Sequence, residues 1–155
     1  MKLFLKRDIS SFDSLFTVLD DKCSEKYYVR RVKNNVELRD LRDKTLLKIR
    51  SLPFPALRAY SMSTAKRSAK LMINPKSRCY YYGLSWHIRG DILTKSFDII
   101  DADNSLVATH CKRFCDSGDG FELNIENEAA ELFCIGTAVC VNLGVTADKR
   151  ILQTV

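Results

Sequence analysis

The chain reads as a mainly β (α+β) protein: a closed antiparallel β-barrel of about 12 strands around a central hydrophobic helix near the carboxyl end. Three observations predict this. Short alternating or β-branched and aromatic stretches recur at even spacing, separated by turns rich in Asp, Asn and Gly. The run from Asn127 to Gly144 holds ten residues, Leu132 to Val141, with no charge on any face, so this segment needs apolar surroundings on all sides. A barrel of that many strands is too wide for its own side chains to fill, and a helix of about sixteen residues, roughly 24 Å long, is the object that fits inside.

Taken in order, Leu3-Phe4-Leu5 opens a short strand and Asp8 to Ser14 a turn. Phe16 to Leu19 and Lys26 to Val32 alternate around Asp20 to Glu25, which predicts a hairpin. The unit recurs in Val36 to Arg50, with Asp40 twenty positions after Asp20. Pro53 and Pro55 cannot donate ladder hydrogen bonds, so Ser51 to Pro55 is expected to be a loop at a sheet corner. Leu57 to Met62 and Ala69 to Ile73 form a third hairpin around Ser63 to Ser68, and Asn74-Pro75 begins another turn. Tyr80 to Ile88 is one aromatic strand on this reading, with a tight turn at Gly90-Asp91 leading into Ile92 and Leu93. Phe97 to Lys112 is the clearest hairpin, turning at Asp101 to Ser105. Cys115 to Gly120 reads as a loop and Phe121 to Ile125 as the last strand.

The helix then spans about 127–144. Asn127 caps it, Glu128 and Glu131 sit where the helix dipole favours carboxylates, Thr137 can return its hydroxyl to its own backbone, and Gly144 supplies a left-handed stop. The tail 145–155 reads either as a frayed end or as a covering strand. Residues 1–155 suit one domain, large enough to bury a full core without metals or cross-links.

The net charge of +6 is unevenly spread. Residues 1–80 hold 19 Lys and Arg against 8 Asp and Glu, and residues 81–155 hold 6 against 11. The basic half either meets phosphates or an anionic membrane surface, or serves solubility alone. The apolar run in Met1 to Arg7 is too short for a signal peptide, and the apolar helix is shorter than the roughly 20 residues a bilayer needs. The six cysteines are therefore expected as thiols in a reducing cytoplasm.

Phe16-Thr-Val-Leu-Asp20, Val36-Glu-Leu-Arg-Asp40 and Phe97-Asp-Ile-Ile-Asp101, followed by Phe121-Glu-Leu-Asn-Ile125 and the apolar helix, resemble the LURP-one-related proteins over nearly the whole chain. That family belongs with the tubby carboxy-terminal domain and the phospholipid scramblases. The resemblance implies a twelve-stranded barrel wrapped round a hydrophobic carboxy-terminal helix; that fold pattern, beside an empty catalytic inventory, leads to the expectation of a non-catalytic binding or scaffolding module. Tubby domains bind phosphoinositide headgroups through basic strand residues, which implies anionic phospholipid or phosphoinositide headgroups as partners and a cytoplasmic, membrane-peripheral location. No site is carried across residue by residue.

Candidate site residues come from the chain itself. Lys48-Ile-Arg50 places two cations on one strand face, and Arg31-Val-Lys33 and Lys76-Ser-Arg78 share that spacing. Such pairs can bracket a phosphate. Ala65 to Lys70 is a basic turn, so Lys48, Arg50, Lys66, Arg67 and Lys70 form the expected anion- or lipid-binding set. The structural alternative is an ordinary solvated face.

No catalytic signature occurs: there is no Gly-x-Ser-x-Gly, Gly-rich phosphate loop or His-Glu-x-x-His, and only two histidines, His87 and His110. His110, Cys111 and Cys115 make at most half a zinc site. No catalytic residue, metal or cofactor is therefore expected. Tyr80, Tyr81, Tyr82 and Trp86 beside Lys76 and Arg78 raise a nucleic-acid reading, disfavoured because consecutive strand residues alternate between faces. The competing class is a small-molecule carrier or enzyme using a cavity beside the helix.

Overall fold

The computed structural model describes residues 1–8, 13–54, 57–74, 76, 78–115 and 118–154, and of 114–115, 118–119 and 144–154 the backbone alone. Twelve antiparallel strands close into a barrel around one helix. They are β1 (Lys2–Arg7), β2 (Ser14–Leu19), β3 (Glu25–Val32), β4 (Asn35–Arg39), β5 (Thr45–Leu52) and β6 (Arg58–Ser63), then β7 (Ser68–Ile73), β8 (Cys79–Tyr82), β9 (His87–Asp91), β10 (Ser96–Ile100), β11 (Leu106–Cys115) and β12 (Gly118–Ile125). Each strand pairs with its sequence neighbour, and β1 pairs with β12 to close the ring. Closure removes the free edges that would otherwise invite pairing with other chains.

Alternation sets the wall. Leu3 and Leu5, Phe16 and Val18, Leu47 and Ile49, Ala69 and Leu71, and Leu123 and Ile125 point inward and are buried, and the residues between them point to the outer face. The hairpins share one turn device. The Asp20 side chain accepts the amides of Lys22 and Ser24, each at 2.9 Å. Asp40 does the same for Arg42 and Lys44, each at 2.9 Å. In both turns the penultimate residue, Cys23 or Asp43, takes a positive φ, 61° and 64°. Asp101 opens a related turn in which Asn104 has φ 65°. The sequence repeat is thus a structural repeat.

The helix begins as expected and ends later. Asn127 accepts the Ala129 amide at 3.2 Å, a 3-10 turn covers Glu128–Ala130, and helix α1 runs Glu131–Thr154. The stop placed at Gly144 and the separate tail 145–155 are therefore corrected. Glycine in a helix interior costs only about 1 kcal/mol, and no proline follows it to break the helix. Phe133 to Asn142 are all buried. Gly136 lies where a Cβ would come within 2.8 Å of both Leu47 Cδ2 and Met62 Sδ, so the helix backbone meets β5 and β6 at close range. Thr137 Oγ1 donates to the Phe133 carbonyl at 2.9 Å and stands 2.9 Å from the Tyr81 hydroxyl, which donates to it.

Three local expectations change. The aromatic stretch Tyr80 to Ile88 is split into β8 and β9 by a turn at Gly83, which has φ 84° and where an added Cβ would lie 2.9 Å from the Ser68 carbonyl oxygen, leaving no room for a side chain. Gly90 lies inside β9, not in a turn; its Cβ would come within 2.9 Å of Phe97 Cα, so close strand approach explains the glycine. The ladder of β11 and β12 extends to the pair Cys115 and Gly118, shortening the loop placed at Cys115 to Gly120. Parts of the turns at Asp8 to Ser14 and Asn74-Pro75 lie outside the described residues.

Candidate functional site

Because the strands run round the barrel in sequence order, any charge pattern along the chain becomes a pattern round the wall. From Lys44 to Gly90 there is no Asp or Glu. This acid-free stretch runs from β5 through β8 and into β9 as far as Gly90, one continuous sector.

On the outside of that sector the ladder aligns Arg50, Ser61, Lys70 and Tyr82 as successive cross-strand partners, with Lys48, Ser63 and Ser68 in the adjacent row. Lys48, Arg50 and Lys70 are exposed. Two inter-strand steps separate Arg50 from Lys70, about 10 Å between backbones, within reach of one phosphate for two long side chains. On the next row Leu52, Ala59, Met72 and Tyr80 align, and Tyr80 and Tyr82 are 49% and 58% exposed. The surface therefore combines cations with aromatic rings. Lys48 lies across from Glu37, whose carboxyl is held below its usual range by the Thr45 hydroxyl at 2.6 Å, joined by Arg39. Tyr81, between the two exposed tyrosines, points inward to Thr137, as strand alternation requires.

Lys66 and Arg67 are elsewhere. They sit in the β6–β7 turn at the end of the barrel where the helix enters. Thr64 Oγ1 shapes this turn by accepting the Arg67 and Lys66 amides at 3.1 and 3.3 Å. Arg67 donates to the Gly83 carbonyl at 2.8 Å, tying this turn to the one between β8 and β9. Here β8 and β9 are joined through the Tyr80 and His87 pair, and beside this short seam a pocket of about 350 Å³ opens. Leu84, Trp86, Ala130, Leu132 and Phe133 supply its apolar surface, and Thr64, Lys66, Arg67, Ser85 and Asp101 its polar rim. Trp86 packs edge-on against Tyr81 at 5.7 Å. Asp101 accepts the Ser85 hydroxyl and the Ala102 amide, both at 2.7 Å.

The five expected residues thus divide: Lys48, Arg50 and Lys70 share the outer face, while Lys66 and Arg67 rim the pocket. Arg31-Val-Lys33 does not form a strand-face pair, since β3 ends at Val32 and Lys33 takes φ 57° in the turn. Lys76 and Arg78 are exposed in the β7–β8 connection. Sequence reasoning missed Leu84, Ser85 and Asp101 at the pocket; the available signal was Gly83, a turn residue inside an aromatic run.

The suspected metal ligands part company. His110 is buried inside the barrel, whereas Cys111 faces out, its thiol 3.6 Å from Glu122. The Cys115 side chain lies outside the described residues. His87 is exposed on β9. Burial pushes the Cys79 and Cys134 thiols up to about 12, so neither is poised as a nucleophile.

Comparison with known proteins gives three findings. The model of a family described as LURP-one-related matches residues 1–142. The protein YxjI of Bacillus subtilis (strain 168) is 24% identical over 157 residues, covering 96% of each chain. The X-ray structure of a protein from Arabidopsis thaliana aligns with a TM-score of 0.55 at 12% identity, covering 94% of this chain and 91% of that one, a likeness of fold alone.

Proposed function

Since the chain belongs to the LURP-one-related family and folds as a tubby-like barrel, we propose that it is a non-catalytic binding or scaffolding module that docks on anionic lipid headgroups through the outer face of β5 to β8. The observation that carries this reading is the acid-free sector, in which Lys48, Arg50 and Lys70 project to solvent beside Tyr80 and Tyr82. Arginine offers a phosphate two parallel donors and lysine a point charge. Exposed tyrosines suit the boundary between headgroup and acyl chain, where a ring with a polar tip is at home. On this reading the protein is cytoplasmic and peripheral to the membrane. No helix among the described residues is long and apolar enough to cross one.

Each cation near an anionic surface contributes about 1 kcal/mol. Replacing Lys48, Arg50 and Lys70 together by alanine is expected to weaken sedimentation with phosphatidylserine-containing vesicles on the order of a hundredfold near physiological salt. Binding by the parent protein should also fall as salt rises. Equal sedimentation of parent and triple variant would remove the proposal.

A further inference from the structure

We propose that the pocket at the helix-entry end of the barrel is a second and separate binding site, taking an amphipathic anion: a carboxylate or phosphate monoester joined to an apolar body. It shares no residue with the Lys48, Arg50 and Lys70 face.

The volume, about 350 Å³, falls at the small end of the roughly 300–1,000 Å³ typical of ligand pockets. Its lining divides by chemistry. Leu84, Trp86, Leu132 and Phe133 offer an apolar surface to which an aliphatic or aromatic body can pack. Lys66 and Arg67 place two cations at the rim. Arg67 is oriented by its bond to the Gly83 carbonyl, and a guanidinium with five N–H donors keeps others for a ligand. Lys66 has no carboxylate within 4.0 Å among the described residues. An anionic group therefore meets the rim while its body covers the apolar wall.

Other polar groups at the pocket are already engaged. Asn127 caps the helix start by accepting the Ala129 amide. Asp101, which also lines the pocket, accepts from Ser85 and Ala102, and its carboxylate disfavours a ligand with a second anionic end. This leaves Lys66 and Arg67 as the selective elements. A bare phosphate ion would meet them but leave the apolar wall uncovered.

The same chemistry comes either as a free amphiphile or as a lipid drawn from a bilayer. Trp86 is the one tryptophan of the chain and lines the pocket, so its emission reads occupancy directly. Octanoate, and in a parallel arm phosphatidylserine vesicles, would be titrated against the full chain, with octanol and inorganic phosphate as controls. A saturable change in Trp86 emission is expected from at least one arm, weakened tenfold or more by Lys66→Glu; in the octanoate arm it is left intact by the Lys48, Arg50 and Lys70 alanine triple, which removes only vesicle docking. Response to octanoate identifies a free amphiphile, and response to vesicles alone identifies a lipid. The proposal is overturned if neither arm responds, if octanol matches octanoate with no vesicle response, or if Lys66→Glu binds as the parent does. Lys66 is an exposed turn residue, so Lys66→Glu is expected to fold; Lys66→Ala, checked by circular dichroism, is the second variant. Because the outer-face triple keeps the pocket, failure here and failure of vesicle docking are separate results.

Discussion

His110 shows how a single buried polar group fixes the helix to the wall. The Lys95 carbonyl, 2.8 Å away, can only accept, so Nδ1 carries the proton. Nε2 is then free to accept from Asn142 Nδ2 at 3.3 Å, and that amide also donates to the Ala138 carbonyl at 2.7 Å. Phe97 and Phe121 stack near the imidazole, with centroids at 4.5 and 5.4 Å. Burial pushes the imidazole down from 6.5 to about 4. A histidine kept neutral by folding contributes stability that is complete above its unfolded value near 6.5 and is lost as the pH falls toward 4. The full difference amounts to roughly 3 kcal/mol. Urea unfolding across this range should show stability falling with pH, and His110→Phe should flatten the slope whatever its effect at neutral pH. An unchanged slope would mean the imidazole is not held neutral. Glu122 acts lower: the Arg113 hydrogen bond at 2.6 Å, aided by Lys2 at 3.1 Å, holds its carboxyl at about 2, so its contribution is lost between about 4.5 and 2. None of this was legible beforehand. Sequence put His110 beside Cys111, but strand alternation sends one inward and one outward, and the partner Asn142 lies on another element.

The elements were more legible, because each rests on local rules. The Asp20 and Asp40 turns could be read from spacing since the side chain that marks the turn also makes its hydrogen bonds. The helix could be read because ten uncharged residues admit no solvent face. Its end could not: glycine marks a stop only when the following chain leaves the helix, and here it continues to Thr154. Gly136 owes its place to packing. Adding a methyl there meets the ends of Leu47 and Met62, both flexible, while helix propensity gains about 1 kcal/mol. Gly136→Ala should therefore change stability by no more than about 1 kcal/mol. Gly136→Glu would put an unpaired carboxylate into the same space and is expected to abolish folding, read as loss of the cooperative thermal transition. If the Gly136→Glu protein stayed folded and soluble, the helix would not be central to the core.

At the scale of the whole molecule, topology converts sequence order into surface. A basic half of a chain says nothing about a basic face unless neighbours in sequence are neighbours in space, and the uninterrupted meander of β1 to β12 supplies that condition. The basic side was thus visible in the sequence, but its spatial meaning waited for the strand order. The pocket waited too, since its walls come from three turns and a helix start brought together only by closure. Two explanations of vesicle binding now differ in a measurable way. If net charge of +6 drives it, any three exposed cations are equivalent, because long-range attraction depends on the total. If the β5 to β8 face drives it, position decides, since screening at 0.15 M salt cuts interactions off beyond about 8 Å. Lys6, Lys22 and Arg30 are exposed on the β1 to β3 side of the barrel, and replacing them by alanine removes as much charge as replacing Lys48, Arg50 and Lys70. The β1 to β3 triple should sediment with anionic vesicles as the parent does, while the β5 to β8 triple remains in solution. Equal losses in both would assign the binding to net charge and leave the acid-free sector without a ligand.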